Sequence, residues 1–265
     1  MLYTALLKSL FRAFYGDPPQ RTMDHDSTGL VLVADGVGGF DLCGTGLCHE
    51  VARAGLPLVV RVISWGHGLW RWHADLTNVA NHQARAAAVA AEVEAFRARR
   101  PVAPVFLVGK SGGSGIIVWA LEALPAEAVE AAVLIAPALS PRYDLSRALR
   151  AIRRELVVYW SPLDLIVLGL GTRLFGTIDR ARSVSAGLVG FRRPEGTDPD
   201  QYAKLRQIRW QPRMASTGYL GGHVGPDSPA FLRKYIIPLL CVPSRQEMAE
   251  EARPVSSEVR AAPIT

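Results

Sequence analysis

Short apolar runs rich in β-branched residues alternate along this chain with longer stretches whose apolar positions recur at helical spacing. LVLVA at Leu30–Ala34 predicts a first strand, the turn DGVGG follows it, and Cys43–Ala54 predicts a helix. A second strand is predicted over Leu58–Ser64, then comes the aromatic stretch WGHGLWRW, and then an Ala-rich helix over Leu76–Arg99 that Pro101 ends. VFLVG at Val105–Gly109 predicts a third strand that runs straight into SGGSG and a helix through Trp119 to Leu124, stopped by Pro125. Ala132–Ala136, Leu156–Trp160 and, more weakly, Gln207–Gln211 complete the series of strands. A helical segment around Leu145–Ile152 crosses between the fourth and fifth, and Phe231–Leu240 reads as a closing helix. Strands apolar at nearly every position, separated by helices, predict an α/β fold: a mainly parallel sheet covered by helices on both faces.

Three regions depart from this alternation. In the lead-in over residues 1–20, Leu2, Leu6, Leu10 and Phe14 recur every fourth residue, which predicts an amphipathic helix. Lys8 and Arg12 interrupt its apolar run, so Met1 to Tyr15 suits docking on the body, or contact with a membrane surface or partner, better than a signal peptide or a span. Leu165–Arg206, rich in Gly, Arg, Thr and Pro, predicts a long functional or mobile loop. Residues 242–265 are polar and proline-bearing and predict a disordered tail. What remains, 21–241, is one α/β domain, which a chain of 265 residues accommodates.

Composition changes this picture little. Hydrophobic residues make up 49% and charged residues 20%, the balance of a globular body rather than a disordered chain. The net charge of +6 invites a nucleic-acid reading, but the arginines are spread over helices and loops, and no nucleic-acid partner is expected. Three cysteines, Cys43, Cys48 and Cys241, form no CxxC pair, so a reducing, cytoplasmic setting is expected.

The candidate chemistry sits at the third strand. Gly109-Lys110-Ser111-Gly112-Gly113 matches G-x-S-x-G, directly after a strand and before a helix. Such a turn forces its central residue into a strained conformation, and small residues at Gly109 and Gly113 leave room for it. A phosphate-binding P-loop would need a glycine where this chain has Pro104. A serine hydroxyl needs a base to take its proton and a third group to hold the base. Asp164, in YWSPLD after the fifth strand, and His223, in the glycine-rich YLGGHVG after the last, supply both types in the order Ser, Asp, His.

From about Leu30 to Leu240 the chain resembles the α/β-hydrolase family of serine esterases and lipases. The resemblance implies that Ser111 attacks an acyl carbonyl, that His223 accepts and returns the proton, and that Asp164 fixes the imidazole. It implies an oxyanion hole formed by the amides of Val37 and Gly112, an ester or thioester substrate of small-molecule or lipid type, and neither metal nor organic cofactor. Asp35 and Lys110 occupy places where histidine is common in the family. The two opening antiparallel strands are expected to be missing or reduced, and the short crossing after the fourth strand leaves no room for a large cap, so an open site is expected.

Alternatives exist at several positions. Asp144, in SPRYDL, is a second candidate acid one strand earlier. Asp24-His25-Asp26 resembles a ligand set, but adjacent residues seldom converge on one ion. His67, His73 and His82 share no helical face and read as structural. Trp65, Trp70 and Trp72 follow the second strand on the same rim, where Trp65 and Trp70 are candidates to line a substrate pocket and core packing is the competing role. A non-catalytic protein that keeps the pocket for ligand binding or scaffolding fits the same motifs, and the distance between His223 and Ser111 discriminates.

Overall fold

The computed structural model describes residues 28–67 and 72–241, the side chains of residues 72 and 73 apart. Six parallel strands form one sheet: β1 Gly29–Ala34, β2 Leu58–Ile63, β3 Val105–Lys110, β4 Val129–Ile135, β5 Ile152–Trp160 and β6 Leu205–Arg209, in the order β2-β1-β3-β4-β5-β6. No antiparallel strand is present among the described residues. The N-terminal lead-in, the tail 242–265, Asp24-His25-Asp26 and Trp70 lie outside them.

The apolar strand runs have a direct cause. Leu30, Leu32, Leu107, Leu134 and Val158 point into a core on one face, and Val31, Val33, Val108, Val133 and Val157 into a core on the other. Period-two side chains thus meet helices on both sides, and each buried aliphatic contributes about 1.5–3 kcal/mol. Over the first face lie α3 (Val79–Arg99), through Val89, Val93 and Phe96, and α4 (Gly113–Ala123), through Ile116, Ile117 and Leu121. Over the second lie α1 (Leu42–Arg53), through Leu47 and Val51, and the closing segment, through Phe231, Leu232 and Ile236.

Several boundaries differ from expectation. The Ala-rich helix is divided at Asn78, whose side chain accepts from the Asn81 amide at 3.0 Å and caps α3, leaving α2 (Trp72–Thr77) as a separate turn. The crossing before β5 is only the single turn α5 (Ser146–Arg150), because β5 already begins at Ile152. Leu165–Arg206 is not a plain loop: it holds a π-helical stretch over Leu165–Gly171 and short turns at Thr172–Phe175, Ala186–Val189 and Pro199–Tyr202. Its local hydrogen bonds arise from an apolar segment, LIVLGLG, that packs Leu168 inward. The closing helix is a succession of short α, π and 3₁₀ turns from Pro229 to Leu240.

Register places the chemistry. Ala34, the last residue of β1, pairs with Gly109, and Lys110 pairs with Ile135, so strand ends align at one edge. The chain leaves β1 for β2 on one side and returns to β3 on the other, opening a crevice between β1 and β3 at that edge. Ligands of open α/β sheets bind at such a reversal of strand order.

Candidate active site

Two turns flank the crevice. Ser111 connects β3 to α4 with φ of 51°, the left-handed region that costs an L-residue roughly 1–2 kcal/mol. Neighbours hold it there: its amide donates to the Ile135 carbonyl at 2.9 Å, and its own carbonyl accepts from the Ala138 amide at 3.1 Å. A Cβ on Gly113 would stand 2.1 Å from the Ala34 carbonyl oxygen, and one on Gly109 would stand 2.7 Å from the Ser114 Cα. Small residues are therefore obligatory at both positions, because helix α4 enters against the ends of β1 and β3.

Three side chains from distant parts of the sequence meet at this edge. His223 Nε2 lies 3.0 Å from Ser111 Oγ, and His223 Nδ1 lies 2.6 Å from Asp164 Oδ2. Ser111 and Asp164 are buried and His223 is partly so. Asp144 is elsewhere: its carboxylate accepts from the Ser146 amide, the Ser146 hydroxyl and the Tyr202 hydroxyl. These bonds hold its carboxyl below the usual range.

The turn after β1 forms the other wall. Gly36 and Gly38 donate their amides to Asp35 Oδ1 and Asp75 Oδ2, both at 2.8 Å. The amides of Val37 and Gly112 have no protein acceptor among the described residues. Val37, Leu76, Ala138, Val167, Leu168 and Phe175 line a cavity of about 210 Å³ that reaches Ser111 and Gly112. No ionisable side chain among the described residues lines it. The segment after β5 supplies part of this wall.

Trp65 does not line that cavity and packs in the core, the second of the two roles open to it. It is buried, its indole donates to the Asp35 carbonyl at 2.7 Å, and its ring packs where a Gly112 Cβ would point. A large apolar ring with one donor is better satisfied between the two turns than against solvent. His82 is structural: its ring stands on Trp65 and Trp119, its Nε2 meets the Asp75 carbonyl, and burial pushes its pKa down. His67 Nδ1 pairs with Asp75 Oδ1 at 2.7 Å. No cluster of His, Cys, Asp and Glu fit to hold a metal exists among the described residues.

Two features escape sequence reasoning. Asp75, fully buried, ties Gly38 to the His67 backbone and ring. Lys110 and Asp227 form a buried ion pair behind Ser111, joining the strand that carries the serine to the segment just after His223. Burial pushes the Asp227 carboxyl up to about 6 despite Lys110. Burial opposes charge on Lys110, but Asp227 and Asp35 outweigh it and raise the ammonium pKa. A lysine closing an otherwise apolar strand is a signal for such a pair, since buried lysines require partners. Cys43 lies beside the cluster, and burial and Asp35 keep its thiol protonated.

A parallel sheet with its strand order reversing at a serine turn defines an α/β-hydrolase. The chain belongs to that fold's Hydrolase_4 family, described as serine aminopeptidase, S33, whose model matches residues 26–184. That match includes Ser111 and Asp164 and ends before His223. No curated protein matches the chain. Among solved structures it is similar to LpqC, a poly(3-hydroxybutyrate) depolymerase from Bordetella parapertussis, with 14% identity, 89% of this chain and 88% of that chain covered, and a TM-score of 0.47. It is also similar to carboxylesterase CesB from Bacillus subtilis, with 13% identity, 91% and 98% covered, and a TM-score of 0.43.

Proposed function

We propose that this chain is a serine hydrolase that cleaves carboxylic ester or thioester bonds through an acyl-serine intermediate. Ser111 Oγ attacks the acyl carbonyl as His223 Nε2 takes its proton. Asp164 holds the imidazole through Nδ1 and stabilises its charged form. The amides of Val37 and Gly112 receive the developing oxyanion, each worth about 2.7–4 kcal/mol in the transition state. His223 then protonates the leaving alcohol or thiol; in the second half, His223 takes a proton from water, whose oxygen adds to the acyl carbon, and returns it to Ser111 Oγ as the carboxylic acid departs.

The observation that carries this reading is the continuous pair of hydrogen bonds through His223, 3.0 Å to Ser111 and 2.6 Å to Asp164. It favours catalysis over a non-catalytic binding role, for which no such alignment is needed. Among the described residues no charged side chain lines the cavity, which favours an apolar acyl group over a peptide N-terminus, whose ammonium needs an acidic partner.

Ser111→Ala is expected to lower hydrolysis of short p-nitrophenyl esters by at least about a thousandfold while the protein stays folded. A fluorophosphonate probe is expected to label Ser111 in the parent protein. Retained turnover in the variant, or an unlabelled folded parent, overturns the assignment.

A further inference from the structure

The segment after Asp164 is built the wrong way out for an ordinary surface helix. Leu165–Gly171 and Thr172–Phe175 form one continuous helical stretch. Ile166, Leu170 and Leu174, four residues apart along it, are 80%, 58% and 61% exposed, whereas Leu168 between them is buried. In the loop that brings His223 to Ser111, Leu220 and Val224 are also exposed. Leu163, exposed too, joins the two segments, since its side chain lies where a Cβ on Gly221 would point. Single exposed leucines are unremarkable, but exposed apolar side chains gathered on the cavity-lining segment and on the neighbouring loop that carries His223 mark a surface that meets another phase or partner.

Charge points to the partner. Arg173, Arg180 and Arg182 are exposed on this segment, and Arg180 donates to the carbonyl of Leu76, itself in the cavity wall. Between Leu165 and Arg182 the one acid is Asp179, which is half-buried and accepts from the Ser140 amide. An apolar ridge with basic residues and no exposed acid is complementary to a surface with hydrocarbon below and anionic groups above.

We propose that this face docks the protein on an anionic lipid surface, with Ile166, Leu170, Leu174 and Leu220 entering the acyl boundary. A lipid-borne ester then passes into the apolar cavity and reaches Ser111 without crossing water. The choice of substrate rests on the acyl-serine reading; the docking itself does not.

The full-length protein is sedimented with phosphatidylcholine vesicles and with phosphatidylcholine–phosphatidylglycerol vesicles. Binding to the anionic vesicles, weakened by salt, is expected. Ile166→Glu combined with Leu174→Glu is expected to weaken it by about tenfold or more, while turnover of a short soluble p-nitrophenyl ester stays unchanged. Ser111→Ala is expected to bind vesicles like the parent, so a failure of the acyl-serine reading shows as lost chemistry with docking intact. No binding by the parent overturns the proposal. Undiminished binding by the double variant assigns the contact to another segment, such as Met1 to Tyr15, and also overturns it. A change in oligomeric state without a change in vesicle binding makes the face a contact between copies and overturns lipid docking in the same way.

Discussion

Asp75 sits in the first turn of its own short helix, yet two turns elsewhere depend on it. Its Oδ2 accepts from the Gly38 amide at 2.8 Å, and its Oδ1 accepts from the His67 amide at 2.6 Å. Gly38 is the residue after Val37, so the carboxylate sets where the Val37 amide sits. In Asp75→Asn, one oxygen becomes an NH₂ group and one of the two backbone donors loses its acceptor, a cost of about 1–3 kcal/mol when buried. Where the loss falls on Gly38, the Val37 amide drifts from the oxyanion position proposed for it. The expected outcome is a fall in kcat of about tenfold to a hundredfold with KM little changed, because the bond matters chiefly in the transition state. Steady-state kinetics on a soluble ester check this, and an unchanged kcat in the folded variant refutes it.

At the scale of elements, the serine turn depends on the contact between α4 and β1. Gly113→Ala places a methyl group against the carbonyl oxygens of Ala34 and Asp35, at 2.1 and 2.4 Å before relaxation. Backbone must move, at a cost of about 1–3 kcal/mol, and the motion passes into the turn that carries Val37. A lower thermal midpoint together with reduced ester turnover is expected. Gly222→Ala is the contrast for stability, since a Cβ there meets nothing within 4 Å and the backbone φ is not positive. Its midpoint is expected to stay level or rise slightly. These elements explain what is legible in the sequence. The first five strands announce themselves because helices cover both faces, whereas β6, an edge strand with exposed Arg206 and Arg209, carries little apolar signal. Ser111, Asp164 and His223 are legible because each follows a strand at the same edge. Trp65 is not, since an aromatic residue after a strand suits a pocket or a core equally until its indole partner, the Asp35 carbonyl, is known. Asp75 and Asp227 are invisible for a related reason: their partners are backbone amides or a lysine more than a hundred residues away, and although Lys110 signals the need for a partner, no local pattern says which residue supplies it.

For the whole molecule, the buried Lys110–Asp227 pair couples stability to pH. The Asp227 carboxyl titrates near 3.8 when unperturbed and about 6 in the folded protein. Below the lower value it is protonated in both states. As pH rises toward 6, the unfolded chain releases its proton while the folded protein keeps it, so stability declines across that window by roughly 3 kcal/mol and is then level. Lys110, its own pKa raised, stays charged throughout and adds no slope of its own here. Asp227→Asn cannot ionise and lacks this decline, whatever its absolute loss from leaving Lys110 with Asp35 alone. Urea denaturation of both proteins from pH 4 to pH 7 is therefore expected to show the stability difference shifting in favour of the Asn variant by roughly 2.5 kcal/mol, with the other carboxylates cancelling between the two. Parallel stability curves would mean that Asp227 titrates as an ordinary carboxylate. In that case the Lys110 charge offsets the whole cost of burying the Asp227 carboxylate, and the pair ties the serine strand to the histidine segment without a pH dependence of its own.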